Sequence, residues 1–556
     1  MTLLGVMQDK QLLVSDIIRY AETYHSDREV VWVDSSGELG RYSYGAAGER
    51  ARKIARLLAE WGIERGDRVA TIAMNHSQHF ELFFGVSGFG AVLHTINPRL
   101  HEEQITYICN HAEDRILFFD AEFLPIVSRL AKNLRTIERF VVIGDLKNQP
   151  SDPRPLFEYE NTLREMDARF EWPEFDERSA SALCYTSGTT GNPKGVLYSH
   201  RGIVLHAMAA AQASAMGLCC HDAILPIAPM FHVNGWSLPY MAPMLGAKLV
   251  LPGRRVDPEV LCRLIEREGI TFAAGVPTVF VSLLEYLERT AGRLGSLKKA
   301  VIGGTAVSPA MVDLLTNKYG CSVLQMWGMT ELGPLGTMST ATAAVDSLPE
   351  PRRRSYLEKQ GRVQFGLELK VVDDDGKRLP HDGRSPGSLW IKGAWAAAGY
   401  YKAEGGHVLD SDGWLPTGDV ATIDDRGYLR ITDRAKDVVK SGGEWISSVD
   451  LENVTYGCPG IRHAAVVGAK HPKWDERPIL IVEPQAGAEI SREIILEYLR
   501  PRVAKWWLPD DVVFVEEMPL TPTGKIRKQS LRERFADHLS RRVGPDPSNF
   551  ADPTIE

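Results

Sequence analysis

The residues from Tyr185 to Gly195 (Tyr-Thr-Ser-Gly-Thr-Thr-Gly-Asn-Pro-Lys-Gly) put four aliphatic hydroxyls, three glycines and one lysine into eleven positions. Glycine permits left-handed dihedrals and close approach, so backbone N–H groups can turn toward an anion. The hydroxyls of Thr186, Ser187, Thr189 and Thr190 add donors, and Lys194 adds a cation. Together they read as a cradle for a polyphosphate. An ordinary surface turn has a similar composition. The common nucleotide P-loop needs Gly-Lys followed by Ser or Thr at the mouth of a helix. Here Lys194 stands between Pro193 and Gly195, which disfavours a kinase or GTPase.

Further along the chain, other stretches carry groups of matching chemistry. His232 lies between aromatics in Phe231–Trp236, a setting that packing alone would also explain. Ile302-Gly303-Gly304-Thr305 ends an apolar run in two glycines, where a ligand can approach main chain. Gln325-Met326-Trp327-Gly328-Met329-Thr330-Glu331 places one carboxylate on a turn-rich stretch. Thr417-Gly418-Asp419 offers a carboxylate able to accept from two hydroxyls. Arg434, Lys436 and Lys440 precede Gly442, Gly443 and Trp445. Near the end, Pro519–Ile526 fixes a loop that presents Lys525.

In this order, the stretches resemble the adenylate-forming superfamily over nearly the whole chain, and in particular its fatty-acyl-CoA synthetases. The resemblance implies that Thr186, Ser187, Gly188, Thr189, Thr190 and Lys194 hold the phosphates of ATP. It implies that Gly303, Gly304, Gln325, Met326, Trp327 and Thr330 surround the adenine and the acyl carboxylate. The family's usual aromatic before the glycine is tyrosine; here it is Trp327, which can still stack on adenine. Thr186 and Glu331 become Mg²⁺ ligands, few in number as that ion prefers. Asp419 clamps the ribose, Arg434 helps hold the nucleotide, and Lys436, Lys440 and Trp445 lie beside it. His232 sits near the adenylate, Trp236 gates the acyl tunnel, Gly442 and Gly443 shape the CoA channel, and Lys525 bridges the substrate carboxylate and the α-phosphate.

These groups need a frame, and the patterning supplies one. Ile54, Leu57, Leu58 and Trp61 recur at helical spacing. Short apolar runs at 69–74, 248–251, 271–274 and 299–302 read as strands between helical segments, one of which starts at Ser308-Pro309. That alternation predicts layered α/β sheets with much parallel pairing. Polar, proline-containing stretches at 145–155 and 347–354 read as exposed loops. From Arg362 to Leu429, short strands and turns suggest a β-rich subdomain, extending to about 433. The charged connection Thr432–Asp437 suggests a boundary. The expected organisation is an adenylation domain at 1–433, a hinge at 434–437 and a small, mobile α+β domain at 438–556. Within that last unit, Arg527, Lys528, Arg532 and Arg534 read as a solvated helix face.

Composition sets outer bounds. The chain has 556 residues, 44% hydrophobic and 24% charged, with a net charge of −8 from 64 basic and 72 acidic residues. That is a soluble, globular profile with no call for nucleic acid or an anionic membrane. The seven cysteines (109, 184, 219, 220, 262, 321 and 458) form no CxxC pattern and suit buried thiols in a reducing cytosol. Cys184 reads as strand core rather than nucleophile. No secretory leader and no apolar run long enough to span a membrane is read, so a cytoplasmic location is expected. The family resemblance adds an expected homodimer.

The resemblance implies an AMP-forming acyl-CoA ligase using ATP, Mg²⁺ and CoA. A carboxylate is ionised at neutral pH, so its attack on the α-phosphorus needs no general base. The protein's part is positioning and charge neutralisation. The acid expected is short- to medium-chain, with 3-methylmercaptopropionate as the specific expectation. The alternatives are a long-chain ligase, an adenylating enzyme with a non-CoA acceptor, and a nucleotide-binding scaffold.

Overall fold

The computed structural model describes residues 3, 5–145, 154–186, 192–254, 256–305, 307–441, 444–521 and 525–539. Ser187, Gly188, Thr189, Thr190, Gly442 and Gly443 lie outside these residues, as does most of the 145–155 stretch. The side chains of Glu444 and Trp445 lie outside them too.

Among the described residues, seven strands form one sheet, in the order Leu156–Glu158, Arg139–Ile143, Asp114–Asp120, Arg68–Ile72, Val92–Thr95, Ala180–Tyr185, Gly195–Ser199. Neighbours are parallel except the last pair, a hairpin whose connection is the glycine- and hydroxyl-rich loop. A second sheet has a parallel centre of Ser322–Gly328, Lys299–Gly303, Phe272–Gly275, Ala223–Pro226, Lys248–Leu251 and Glu29–Val33.

Residues two apart along a strand face the same side, and both sheets use this to bury two faces. Leu249 and Leu251 enter the core between the sheets, while Val250 packs on the outer helices. Val69 and Phe118 face the same central core, while Ala70, Ile72 and Phe119 face outward helices of the other sheet. The layers therefore run helix, sheet, helix, sheet, helix. The central helix Ser77–Phe89 is buried almost all round, as its apolar sequence requires.

The β-rich stretch forms no separate sheet. Leu335–Met338, Gly361–Val363, Tyr428–Arg434, Leu415–Ile423, Gly387–Gly393 and Leu367–Val372 continue the second sheet by antiparallel pairing. The strand Tyr428–Arg434 also runs through the first half of the charged connection, and the Asp433 carboxylate, buried, accepts from Ser448 N at 2.6 Å.

The expected loop at 347–354 is in fact the start of a helix, Glu350–Leu357. Pro351 lies in its first turn, where a missing N–H costs nothing. Arg354 pairs with Glu358 one turn on at 2.7 Å and with Asp313 of another helix at 2.7 Å. The charges that suggested a loop are the helix's lateral contacts.

The C-terminal unit carries its own sheet, with Ile461–His471 against Asp475–Pro484 and Asp511–Phe514 parallel to the latter. Ala464 and Val466 face one core and Ala465 and Val467 the other. The helix Lys528–Phe535 covers the second face through Leu531 and Phe535. Its basic residues divide, which corrects the solvated-face expectation. Arg527 and Arg534 are exposed, but Lys528 is tied to Glu452 at 2.7 Å and to Ser448 at 2.6 Å, and Arg532 pairs with Asp437. No helix among the described residues is long and apolar enough to cross a membrane.

Candidate active site

Adjacent parallel strands of the second sheet end side by side at Pro226, Gly275, Gly303 and Gly328. The carboxyl ends of parallel strands are where an α/β sheet offers a crevice. The segments leaving these ends carry His232, Gly304 and Glu331. Sequence motifs far apart in the chain thereby meet.

Lys525 enters this crevice from the C-terminal unit. A Cβ at Gly304 would sit 3.0 Å from Lys525 Cε, so glycine is the residue that leaves room for the lysine stem. Gly304 also has φ +94°, a conformation other residues rarely adopt. At Gly303 a Cβ would meet Met326 O at 2.8 Å, which makes it a packing glycine between two strands. The Lys525 loop is closed by Lys525 N donating to Thr521 Oγ1 at 3.0 Å and Thr521 N donating to Lys525 O at 2.6 Å. Burial, and then the nearby Arg434 guanidinium, push the Lys525 ammonium down to about 8, against the pull of Asp419. It remains mostly cationic at neutral pH.

Asp419 and Arg434 face each other across two antiparallel strands. The buried Asp419 carboxylate accepts from Arg434 Nε at 2.7 Å and from Trp327 Nε1 at 2.8 Å. Burial raises its pKa, while Arg434, the Trp327 bond and Lys525 oppose that rise. The tryptophan at the position where tyrosine is usual thus donates to the candidate ribose clamp. Burial, and then Lys525, push His232 down to about 3, so its ring is neutral near pH 7 and serves as a wall or hydrogen-bonding group rather than as a cation.

At the phosphate end, Thr186 N donates to Lys194 O at 2.9 Å and Lys194 N donates to Thr186 Oγ1 at 3.2 Å, which closes the base of the loop. Lys194 Nζ stands 4.9 Å from the centre of the Tyr400 ring. The Tyr400 hydroxyl donates to Glu331 Oε1 at 2.6 Å, and Glu331 is buried. Tyr400 therefore links the loop lysine to the candidate metal carboxylate, yet no motif in its neighbourhood signals it. Among the described residues no cluster of three or more His, Cys, Asp or Glu could hold a metal. One carboxylate and one hydroxyl nonetheless fit Mg²⁺, which takes much of its shell from water and phosphate.

Other residues proposed from sequence stand elsewhere. Gln325 turns its amide toward the end of the Glu350–Leu357 helix, donating to Glu358 O at 3.2 Å, so its side chain is engaged in structure. Met326 is buried under Gly303, and Thr330 gives its carbonyl to the Tyr198 hydroxyl at 2.6 Å. Lys436 and Lys440 are exposed beyond the Arg434 strand.

Trp236 is buried within a tight left-handed run, Val233 to Ser237, with φ between 39° and 61°. Non-glycine residues in that region each carry strain of about 1–3 kcal/mol. The run is held by side chains. Asn234 Oδ1 accepts from Cys184 Sγ at 2.6 Å, and Ser237 Oγ meets His206 Nδ1 at 2.8 Å. Cys184 is thus strand core with its thiol in use, as read from sequence. Beside the run lies a cavity of about 210 Å³, walled by residues including Tyr198, His206, Asn234, Ser237, Tyr240 and Trp395. Sequence reasoning missed it because its walls come from four separate stretches of chain. Trp236 is not among its lining residues.

Known proteins resemble this chain over nearly its whole length. The family model described as AMP-binding enzyme matches residues 18–401, and that of the AMP-binding enzyme C-terminal domain matches 450–525. A 3-methylmercaptopropionyl-CoA ligase of Ruegeria lacuscaerulensis is 46% identical over 97% of this chain and 100% of its own length. A medium-chain-fatty-acid–CoA ligase of Ectopseudomonas oleovorans is 46% identical over 97% of this chain and 99% of its own. The crystal structure of the anthranilate CoA ligase AuaEII with anthranoyl-AMP superposes with a TM-score of 0.85 at 24% identity, covering 97% of this chain and 100% of that one, and so shares the fold. The chain belongs to the AMP-binding enzyme family of adenylate-forming proteins, among its AMP-forming acyl-CoA ligases.

Proposed function

We propose that this enzyme activates a short- to medium-chain carboxylic acid with ATP to an acyl-adenylate and passes the acyl group to CoA, with 3-methylmercaptopropionate as the specific acid. The observation that carries the adenylation half is the placement of Lys525 over Gly304, beside Asp419 and Arg434. The names of the two relatives at 46% identity support the acid class.

The acid's carboxylate attacks the α-phosphorus and pyrophosphate leaves. Lys525 neutralises charge on the carboxylate and α-phosphate, and Lys194 does so on the departing phosphates. Asp419 and Arg434 hold the ribose, with Trp327 against the adenine. Neutral His232 and the buried Trp236 wall the acyl group. Mg²⁺ held by Thr186 and Glu331 would add charge neutralisation at the phosphates. The C-terminal unit then rotates about Lys436, withdrawing Lys525 and bringing Gly442 and Gly443 to line the path of the CoA thiol.

Mass spectrometry of products formed from ATP, Mg²⁺, CoA and a chain-length panel of acids tests this reading. Acyl-CoA with AMP supports it and names the acid. AMP and pyrophosphate without acyl-CoA moves the acceptor away from CoA.

A further inference from the structure

Residues 400–406 lie against the base of the phosphate loop and reach two ways. Toward the loop, Lys194 Nζ stands 4.9 Å from the centre of the Tyr400 ring, and a Cβ at Gly405 would come within 2.7 Å of the same Nζ. The loop lysine thus rests between Tyr400 and a glycine that leaves room for it. A Cβ at Gly195 would meet Tyr185 Cζ and Tyr401 Cβ, each at 3.1 Å, so the last glycine of the motif lets both residues close on that base.

Away from the loop, the anchor is Glu404. Its Oε1 accepts from the Tyr107 hydroxyl and faces His111 Nε2 at 3.4 Å. Tyr107 and His111 stand four residues apart on the helix Glu102–Ala112, so they share a face, and their rings stack with centres 5.4 Å apart. Burial lowers the His111 pKa against the pull of Glu404, so the ring is neutral near pH 7 and carries one proton. A carboxylate has no hydrogen to give, so that proton belongs on Nε2, and Nδ1 accepts from the Tyr185 hydroxyl at 2.6 Å. Tyr107 is also hydrogen-bonded to the Asn192 side chain. Tyr185 directly precedes Thr186, and Asn192 stands two residues before Lys194. Both limbs at the base of the loop therefore lead to Glu404, one through His111 and the other through Tyr107. Lys402 and Ala403 both have φ +55°, a conformation in which non-glycine residues carry strain. Lys402, paired with Glu113 at 2.6 Å, and Glu404, bonded to Tyr107, hold that bend in place.

We propose that Glu404 is a positioning residue for the phosphate half of the site: through Tyr107 and His111 it fixes both limbs of the loop, and through its own segment it seats Lys194 and the Tyr400 hydroxyl that holds Glu331. It acts on the reaction through Thr186, Lys194 and Glu331. Asp419, Arg434 and Trp327, which hold one another, lie outside this network. The inference rests on the ligase reading and divides its nucleotide site into a phosphate half that depends on Glu404 and an adenosine half that does not.

The test compares inhibition by pyrophosphate, a probe of the phosphate half, with inhibition by AMP, a probe of the adenosine half, in the wild type, Glu404→Ala, Glu404→Gln and Tyr185→Phe. Glu404→Ala should raise the inhibition constant of pyrophosphate and KM for ATP by about tenfold or more, with the AMP constant and KM for the acid unchanged. Glu404→Gln keeps an acceptor for the Tyr107 hydroxyl and should restore most of the loss. Tyr185→Phe removes a single hydroxyl and should raise the pyrophosphate constant by about threefold, which keeps the test decisive if Glu404→Ala fails to fold. Equal weakening of pyrophosphate and AMP overturns the inference, because a merely structural role predicts it. A Glu404→Gln variant as weak as Glu404→Ala overturns the bond to Tyr107 as the anchor. No ATP turnover by the wild type with any acid overturns the ligase reading and this inference with it, whereas normal turnover with pyrophosphate inhibition unchanged in every variant that folds overturns this inference alone.

Discussion

The two ends of the site are built in opposite ways. At the nucleotide end, both carboxylates have a charged or strongly polar partner: Asp419 with Arg434 and Trp327, Glu331 with Tyr400. Around the Val233–Ser237 run, the buried Asn234 amide nitrogen and Tyr240 hydroxyl lack a hydrogen bond of ordinary geometry. Partnered groups hold a fixed geometry for a substrate that never changes. Changes at the first end should therefore alter rate and ATP affinity for every acid alike. Changes at the second should alter which acid is used while leaving ATP affinity alone.

The hardest blow to the first end is Lys525→Ala. Loss of the cation should lower acyl-adenylate formation by about 10³-fold, in line with removal of a transition-state donor. Thioester formation from supplied acyl-adenylate should be largely retained. Measuring the two half-reactions separately checks this, and equal loss of both would break the division of labour. Asp419→Ala removes the acceptor shared by Arg434 and Trp327, and should raise KM for ATP by about 10- to 100-fold with an unchanged ranking of acids. Competition assays across the acid panel read that ranking.

The pH dependence follows from Lys525. Its pKa is lowered to about 8, so the cation is present below that value and is lost as pH rises through it. The rate of adenylation in the free enzyme should fall about tenfold per pH unit above this limb, while His232, already neutral, adds no limb between pH 5 and 7. A pH–kcat/KM profile with pyrophosphate release as the readout tests it. Replacing Lys525 with arginine should shift or abolish the limb.

Trp236→Ala should shift the preferred chain length, changing the ratio between acids that differ by one methylene by about tenfold, with KM for ATP little changed. An unchanged chain profile would reduce Trp236 to a core residue. The smallest effect is expected from Tyr400→Phe. It removes one hydrogen bond to Glu331 and should weaken Mg²⁺ dependence by about fivefold, measured as a shift in the Mg²⁺ concentration for half-maximal rate.

Much of the fold could be read before the structure. The strand runs at 248–251 and 299–302 stand where apolar continuity placed them, because parallel strands buried on both faces need such continuity. Ser308 caps the helix that follows it, donated to by Met311 N. The stretch at 347–354 misled, because proline and charge mark both turns and helix starts, and only Asp313 and Glu358 nearby decide between them.

For the site, Asp419, Lys525 and Glu331 were nominated by the order of their motifs and its resemblance to a known family, since each taken alone reads as an ordinary turn or surface residue. Residue order did not reveal that Trp327 bonds Asp419, that Gln325 is spent on the Glu358 carbonyl, or that Tyr400 joins Lys194 to Glu331. Those pairings join residues between 33 and more than 200 positions apart, brought together only when the strands align. The cavity beside the Val233–Ser237 run is the extreme case. His206 is held at both ring nitrogens, by Ser237 and by Leu335 N, and Asn234 is held by the Cys184 thiol, partners that residue order does not announce. Local chemistry is written residue by residue, but which donors remain unmet depends on every other group in the core, and so only the tertiary structure decides it.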